Sequence, residues 1–268
     1  MEIDFETAGK PVRRLRKLLK RLPRNPSPEE VHDLRTQTRR LEAMLHAFSP
    51  ESSSKEARIL TVMKPVRRAA GRVRDMDVLI ANASSLSSRV QAYGDGIVRL
   101  VEHMSEIRAE VAKRLYNIVK RRGKKARSSL KRFLRDLERI QAENSSNVPA
   151  SPAAAQILAE RLEHWPRLDK ENLHEFRKGV KELRYMLQLV PDHHEQRVNA
   201  FAKVKDTAGD WHDWLELNCV AESVLDGEND ADAALLREIR HVQQEKLRAA
   251  LSTANALRKH GIEMPLAA

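Results

Sequence analysis

A chain of 268 residues with 49 Lys and Arg against 38 Asp and Glu carries a formal charge of +11, so an anionic partner is the first expectation. Aromatics at 4%, 9 glycines and 32% charged residues favour an all-α protein, and the single Cys219 excludes an internal disulfide or a cysteine-built metal cage. No apolar run approaches the roughly 20 residues of a membrane span, and the acidic Met1-Glu2-Ile3-Asp4 does not read as a signal peptide. A cytoplasmic protein with no membrane partner is expected.

In chain order, Pro11 to Leu22 reads as a short basic helix with Val12, Leu15, Leu18, Leu19 and Leu22 inside. Pro23 and Pro26 end it. Ser27-Pro28-Glu29-Glu30 supplies a capping box, with Ser27 as N-cap and Glu30 three residues on. The helix it starts stops near Ser49-Pro50. A third helix runs from Ser54 to Ser85 with a kink expected at Pro65, and a fourth, long and basic, from Ile97 to Glu143 with a break expected at Gly123. The polar stretch 144–152, with Pro149 and Pro152, is the best linker in the chain. It divides an N-terminal bundle, residues 1–143, from a C-terminal bundle, residues 153–268. Helices are expected there over 153–164, 172–190, 195–225 and 230–260. Four helices on each side suit two antiparallel four-helix bundles.

Charge is uneven between these parts. Residues 1–142 hold 33 Lys and Arg and 17 Asp and Glu; residues 143–268 hold 16 and 21. The field that attracts polyanions therefore comes mainly from the first half.

One stretch organises the rest. From Val31, the residues Val31, Leu34, Thr38, Leu41, Leu45 and Phe48 form one helical stripe, while His32, Arg35 and Arg39 share the opposite side with Arg40 flanking. Asp33 and Glu42 are the nearby acids, so the face looks short of counter-ions. Arg35 and Arg39 repel each other at i,i+4, which a helix face tolerates when an anion comes to it. The pattern returns 142 residues later, from His32 to His174. Leu173, Phe176, Val180, Leu183 and Leu187 repeat the stripe, and His174, Arg177, Lys178, Lys181 and Arg184 the cations. Lys181 takes the Arg39 slot and Glu182 the Arg40 slot. A second pair, Val66 to Asp75 against Val204 to Asp213, follows at nearly the same offset, with Asp210 for Arg72 and His212 for Arg74. Two motifs repeating in one order indicate a duplicated unit.

These stretches, with Arg74-Asp75-Met76-Asp77-Val78-Leu79, resemble the CHAD family, the conserved-histidine α-helical domains, over nearly the whole chain. The resemblance implies two four-helix bundles related by a pseudo-two-fold axis and a basic central surface that binds inorganic polyphosphate. The expected polyphosphate contacts are His32, Arg35, Arg39, Arg40, Arg74, His174, Arg177, Lys178, Lys181, Arg184 and Lys205. A second tier of polyanion contacts is Arg14, Lys17, Arg67, Arg72, Arg127, Lys131 and His212. The chemistry suits them: guanidinium forks match phosphate oxygens, lysine adds a compact charge, and a protonated histidine donates from both nitrogens. Arg74 beside Asp75 also invites an internal salt bridge.

The densest cationic run, Lys120 to Arg127 with Lys131, Arg132 and Arg135, supports an alternative nucleic-acid interface. Sparse aromatics there (Tyr116 and Phe133 only) disfavour base stacking. Asp75, Asp77, Asp210 and Asp213 are expected to pair with cations rather than hold a metal ion. Trp165, Trp211 and Trp214 read as packing residues. With no P-loop, His-Glu-x-x-His or Gly-x-Ser-x-Gly, no catalytic residue, metal or cofactor is assigned. The expected activity is non-catalytic binding, with polyphosphate granules as a destination and the oligomeric state left open.

Overall fold

A computed structural model of the protein describes residues 5–48, 54–86, 93, 95–142, 152–187 and 195–259. Among these residues there are eight helices and no strand. They are α1 (Phe5–Arg21), α2 (Pro28–Phe48), α3 (Ser54–Ser85), α4 (Gly96–Ala142), α5 (Pro152–Glu163), α6 (Leu173–Leu187), α7 (Glu195–Val224) and α8 (Asp230–Lys259). The linker at 144–152 lies outside the described residues except for Pro152, as do the expected stop at Ser49-Pro50 and the end of the sixth helix at 188–190.

The capping box at the head of α2 forms as its spacing predicts. The Ser27 amide donates to Glu30 Oε2 at 2.9 Å, and the Glu30 amide donates to Ser27 Oγ at 3.3 Å. Two donors that a helix start leaves without partners are satisfied by each other's side chains. Two expectations about breaks are corrected. Helix α1 starts at Phe5, a turn and a half before Pro11, because proline removes one backbone donor without forbidding the turn before it. Helix α4 runs unbroken through Gly123, whose missing side chain lets α4 lie close to the Leu19 carbonyl of α1.

Burial follows the apolar stripes. In the first core, Val12, Leu15 and Leu19 of α1 meet Val31, Leu34, Leu41 and Leu45 of α2, Val62 to Val73 of α3 and Leu115 to Leu137 of α4. In the second, Leu162 of α5, Phe176, Val180 and Leu183 of α6, Phe201 to Trp211 of α7 and Ala250 to Leu257 of α8 pack together, with Trp165 at the edge. Burying one such Leu or Phe side chain stabilises by about 1.5–3 kcal/mol, and truncating it to Ala costs about 2–5 kcal/mol.

A third core joins the halves. Leu79 and Ala83 of α3, Ile97, Leu100 and Met104 of α4, Trp214, Leu217 and Ala221 of α7, and Leu235 to Ile239 of α8 form one apolar cluster. Each of these four long helices thus serves one bundle at one end and the shared middle at the other. Two buried carboxylates, each held by an arginine, pin this middle. Arg99 of α4 meets Asp232 of α8 at 2.5 Å, and Arg108 of α4 meets Asp77 of α3 at 2.9 Å. Arg108 also donates to the Pro26 carbonyl at 2.6 Å and so fixes the turn that aims α2. With the middle fixed, α2 packs on α6 and α3 on α7.

Candidate polyanion groove

The faces that the two repeats share come together where α2, α3, α6 and α7 meet. A cavity of about 640 Å³ opens there, with Arg35 and Arg39 from α2, Arg67 from α3, His174, Arg177, Lys178 and Lys181 from α6, and His212 from α7 in its lining. The reason is the phase of each helix. The stripe of Leu34, Leu41 and Leu45 turns inward, so Arg35 and Arg39 stand at its margin and point toward α6. Phe176, Val180 and Leu183 do the same for Arg177 and Lys181.

The groove is not purely basic, which corrects the expectation of a face short of counter-ions. Glu42, Asp75, Glu182, Asp213 and Glu216 share the lining. Glu42 takes Arg39 at 3.0 Å and Arg67 at 3.1 Å, and Asp75 takes Arg35 at 3.7 Å. Lys178 meets Glu175 at 2.6 Å, and Lys205 pairs with Asp206. The partner of Arg35 comes from a different helix, where spacing along α2 could not show it. Asp75 reaches across to α2 instead of pairing with its neighbour Arg74, since adjacent residues on a helix do not face each other.

Arg35 and Arg177 each have a carboxylate from the helix opposite within reach of their charge. Arg177 donates from Nε to the Lys205 carbonyl at 3.1 Å and feels Asp213 as Arg35 feels Asp75. Both arginines pass over a glycine. A Cβ on Gly209 would lie 2.8 Å from an Arg177 terminal nitrogen, and one on Gly71 would lie 3.9 Å from Arg35 Nε. Only the approach at Gly209 is close; at Gly71 it is an ordinary contact distance.

Confinement sets the protonation of the groove. Burial, then Arg35, Arg39, Arg177 and Lys205, bring Lys181 down from the usual lysine range to about 7. His174 is also lowered, first by burial and then by His212, whose ring centre is 4.5 Å away at 53°. His32 is lowered by burial and then by Arg74 and Arg35. Burial raises Asp75 and Asp213 against the pull of Arg35 and Arg177 respectively. A phosphate entering here would reverse the strain on the cations by supplying negative charge. Arg39 Nε and His174 Nδ1 are buried without a hydrogen-bond partner, so the first can still donate and the second can donate or accept according to its tautomer.

Other expected contacts lie elsewhere. Lys205 and Arg74 sit at the margin of the groove, where both act on the charge of His32. His32 is exposed. Arg40, Arg72, Lys17 and Lys131 are exposed and do not line the cavity. Arg184 is half-buried, outside the lining, with Nε unpartnered. Arg14 is bound to Asp33 at 2.6 Å, and Arg127 donates to the Leu19 carbonyl at 3.2 Å, so both brace α1. Among the described residues no group of three or more His, Cys, Asp or Glu is placed to hold a metal ion, and no helix is long and apolar enough to cross a membrane.

The CHAD domain family matches residues 8–222, a span that contains both His/Arg helices and the helices facing them. The chain belongs to the CHAD family. Two solved structures share its fold. The CHAD domain from the plant Ricinus communis superposes with a TM-score of 0.68 at 18% identity, covering 96% of this chain and 94% of that one. PptA from Streptomyces chartreusis does so with a TM-score of 0.65 at 15% identity, covering 96% and 99%. No curated protein matches the chain.

Proposed function

We propose that this CHAD protein binds inorganic polyphosphate in the groove between α2, α3, α6 and α7, without making or breaking a bond. The observation that carries the reading is the convergence of Arg35, Arg39, Arg67, Arg177, Lys178 and Lys181 on one cavity from two corresponding helix pairs. A linear polyanion suits a groove lined from both sides. Each phosphate takes charge-assisted hydrogen bonds from guanidinium and ammonium groups, and the counter-ions it sheds add an entropic gain. The carboxylates on the walls hold the arginines in place, as Asp75 does Arg35, and leave acceptor-seeking N–H groups toward the opening. Recruitment of the protein to cytoplasmic polyphosphate granules follows from such binding.

The test is binding of size-fractionated polyphosphate across a salt series, with duplex DNA as competitor at equal phosphate concentration. Affinity should fall steeply with salt and grow with chain length until the groove is filled, and DNA should displace little. A duplex is too wide to enter a cavity of about 640 Å³ and can use only the outer surface. Displacement by DNA phosphate for phosphate would transfer the function to the exposed run Lys120 to Lys125. Orthophosphate release with Mg²⁺, lost in Asp75→Ala, would overturn the non-catalytic reading.

A further inference from the structure

We propose that Lys181 is a modification site, a reactive amine that takes the acyl group of acyl phosphates held by the arginines around it. The inference rests on phosphate recognition by the groove, though not on the phosphate being polymeric.

Lys181 differs from the other lysines of this surface. Its side chain is half-buried, lines the cavity and makes no ion pair with any described residue. Lys178, three residues earlier on the same helix, is exposed and bound to Glu175 at 2.6 Å. Lys205 is paired with Asp206. Around Lys181 stand Arg35 and Arg39 of α2, Arg177 of its own helix and Lys205 of α7. The other titratable groups of the cavity are Glu42 of α2, Arg67 and Asp75 of α3, His174, Lys178 and Glu182 of α6, and His212, Asp213 and Glu216 of α7. Burial in the cavity and then the cationic neighbours bring the amine to about 7, so near neutral pH a substantial share of it is the free base. An ordinary lysine, at about 10.4, is free in only about one molecule in 2,500 at that pH. A nucleophile therefore sits inside a ring of phosphate-binding forks.

An acyl phosphate is the electrophile that fits both features. Its phosphoryl group is what Arg35, Arg39 and Arg177 recognise, and its carbonyl carbon lies two bonds from phosphorus. The Nζ lone pair attacks that carbon, and the carbon–oxygen bond to phosphate breaks with its electron pair leaving on phosphate. The arginines stabilise the departing charge. One proton passes from nitrogen to the released phosphate or to water, leaving a neutral amide and orthophosphate. The product removes a cation from the groove, so acylation would lower polyanion affinity when acyl phosphates accumulate.

The experiment treats the full-length protein with acetyl phosphate at neutral pH and follows each lysine by site-resolved mass spectrometry. A parallel reaction uses an N-hydroxysuccinimide acetate, which carries no phosphate. Acetyl phosphate should modify Lys181 at least about tenfold faster than Lys178, and added orthophosphate should slow it. The phosphate-free ester should show a smaller preference. Equal rates at Lys181 and Lys178, or the same preference with both reagents, would overturn the assignment. Arg35→Ala removes a phosphate fork and also lets the amine hold its proton more tightly, so both reactions should slow, and the ratio of the acetyl phosphate rate to the phosphate-free rate at Lys181 should fall. Polyphosphate binding is measured on the same unmodified preparation. Binding without Lys181 selectivity sinks this inference alone, and selectivity without polyphosphate binding sinks the polyphosphate reading alone.

Discussion

Lys120, Arg121, Arg122, Lys124 and Lys125 on α4 form the densest cationic run in the chain, and all five are exposed. The groove holds no such run: its arginines and lysines come from three helices, two from α2, one from α3 and three from α6. The difference lies in what surrounds each charge. On the α4 ridge every ammonium and guanidinium faces water, where its field is screened within about a Debye length. In the groove, helix walls exclude part of the solvent, neighbouring cations act on one another, and Lys181 is brought to about 7. Charge density along a sequence thus says little about the field a ligand meets; confinement by the fold decides it.

The widest separation between the two regions should come from paired truncations. Arg35→Ala with Arg177→Ala removes two charge-assisted donors worth about 1.5–3 kcal/mol each, so polyphosphate affinity should fall at least about 100-fold. Lys124→Ala with Lys125→Ala removes two exposed charges of about 0.2–1 kcal/mol each and should cost about 2- to 30-fold. Isothermal titration of both variants measures the contrast, and equal losses would reduce the groove to generic surface charge.

Acidity should separate them next. Lys181, at about 7 in the free groove, must take up a proton when a phosphate arrives, as must His32 and His174, which burial lowers. Affinity should therefore weaken about tenfold or more between pH 6.5 and 9, and Lys181→Met should flatten that slope. The same shift bears on stability with a definite sign. A lysine lowered on folding binds fewer protons folded than unfolded between about 7 and its ordinary range, so its contribution to stability rises with pH across that window. Thermal melts of the ligand-free protein and of Lys181→Met across pH 6–10 read it directly.

A smaller effect tests the carboxylates that the ridge lacks. Asp75→Asn with Asp213→Asn removes two negative groups from the lining while keeping their size, so a polyanion should bind about fivefold more tightly if the acids act only through charge. Weaker binding would mean that holding Arg35 and Arg177 in place matters more than the charge removed. Either result is read from the same titration, with circular dichroism to check the fold.

How much of this was legible in the sequence depended on range. Ser27 and Glu30 interact within one turn, so the cap of α2 was visible in four letters, and the apolar stripes of α2 and α6 predicted their buried faces. The matched cations Arg35 and Arg177 pointed to a shared site before any coordinates. What was hidden lay between helices. Nothing along α2 says that Asp75 of α3 will meet Arg35, or that Glu42 will divide itself between Arg39 and Arg67. Nor did the linker show that α3, α4, α7 and α8 would share a third core, because their apolar stripes continue without a marker from one cluster into the next.

The finest contrast lies inside the groove, between its two glycines. Replacing a helical glycine by alanine favours the helix by about 1 kcal/mol where space permits. At Gly71 the nearest atom to a new Cβ is Arg35 Nε at 3.9 Å, an ordinary contact, so Gly71→Ala should raise the melting temperature and leave affinity unchanged. At Gly209 the new Cβ would lie 2.8 Å from Arg177, whose Nε is bonded to the Lys205 carbonyl at 3.1 Å. The guanidinium must move and give up that bond, at a cost of about 0.5–1.5 kcal/mol that offsets the helix gain. Gly209→Ala should therefore melt close to the unaltered protein yet bind polyphosphate several-fold more weakly. The two positions would then differ in function because the Arg177 guanidinium lies closer over Gly209 than the Arg35 guanidinium lies over Gly71, and a common response to both substitutions would remove that distinction.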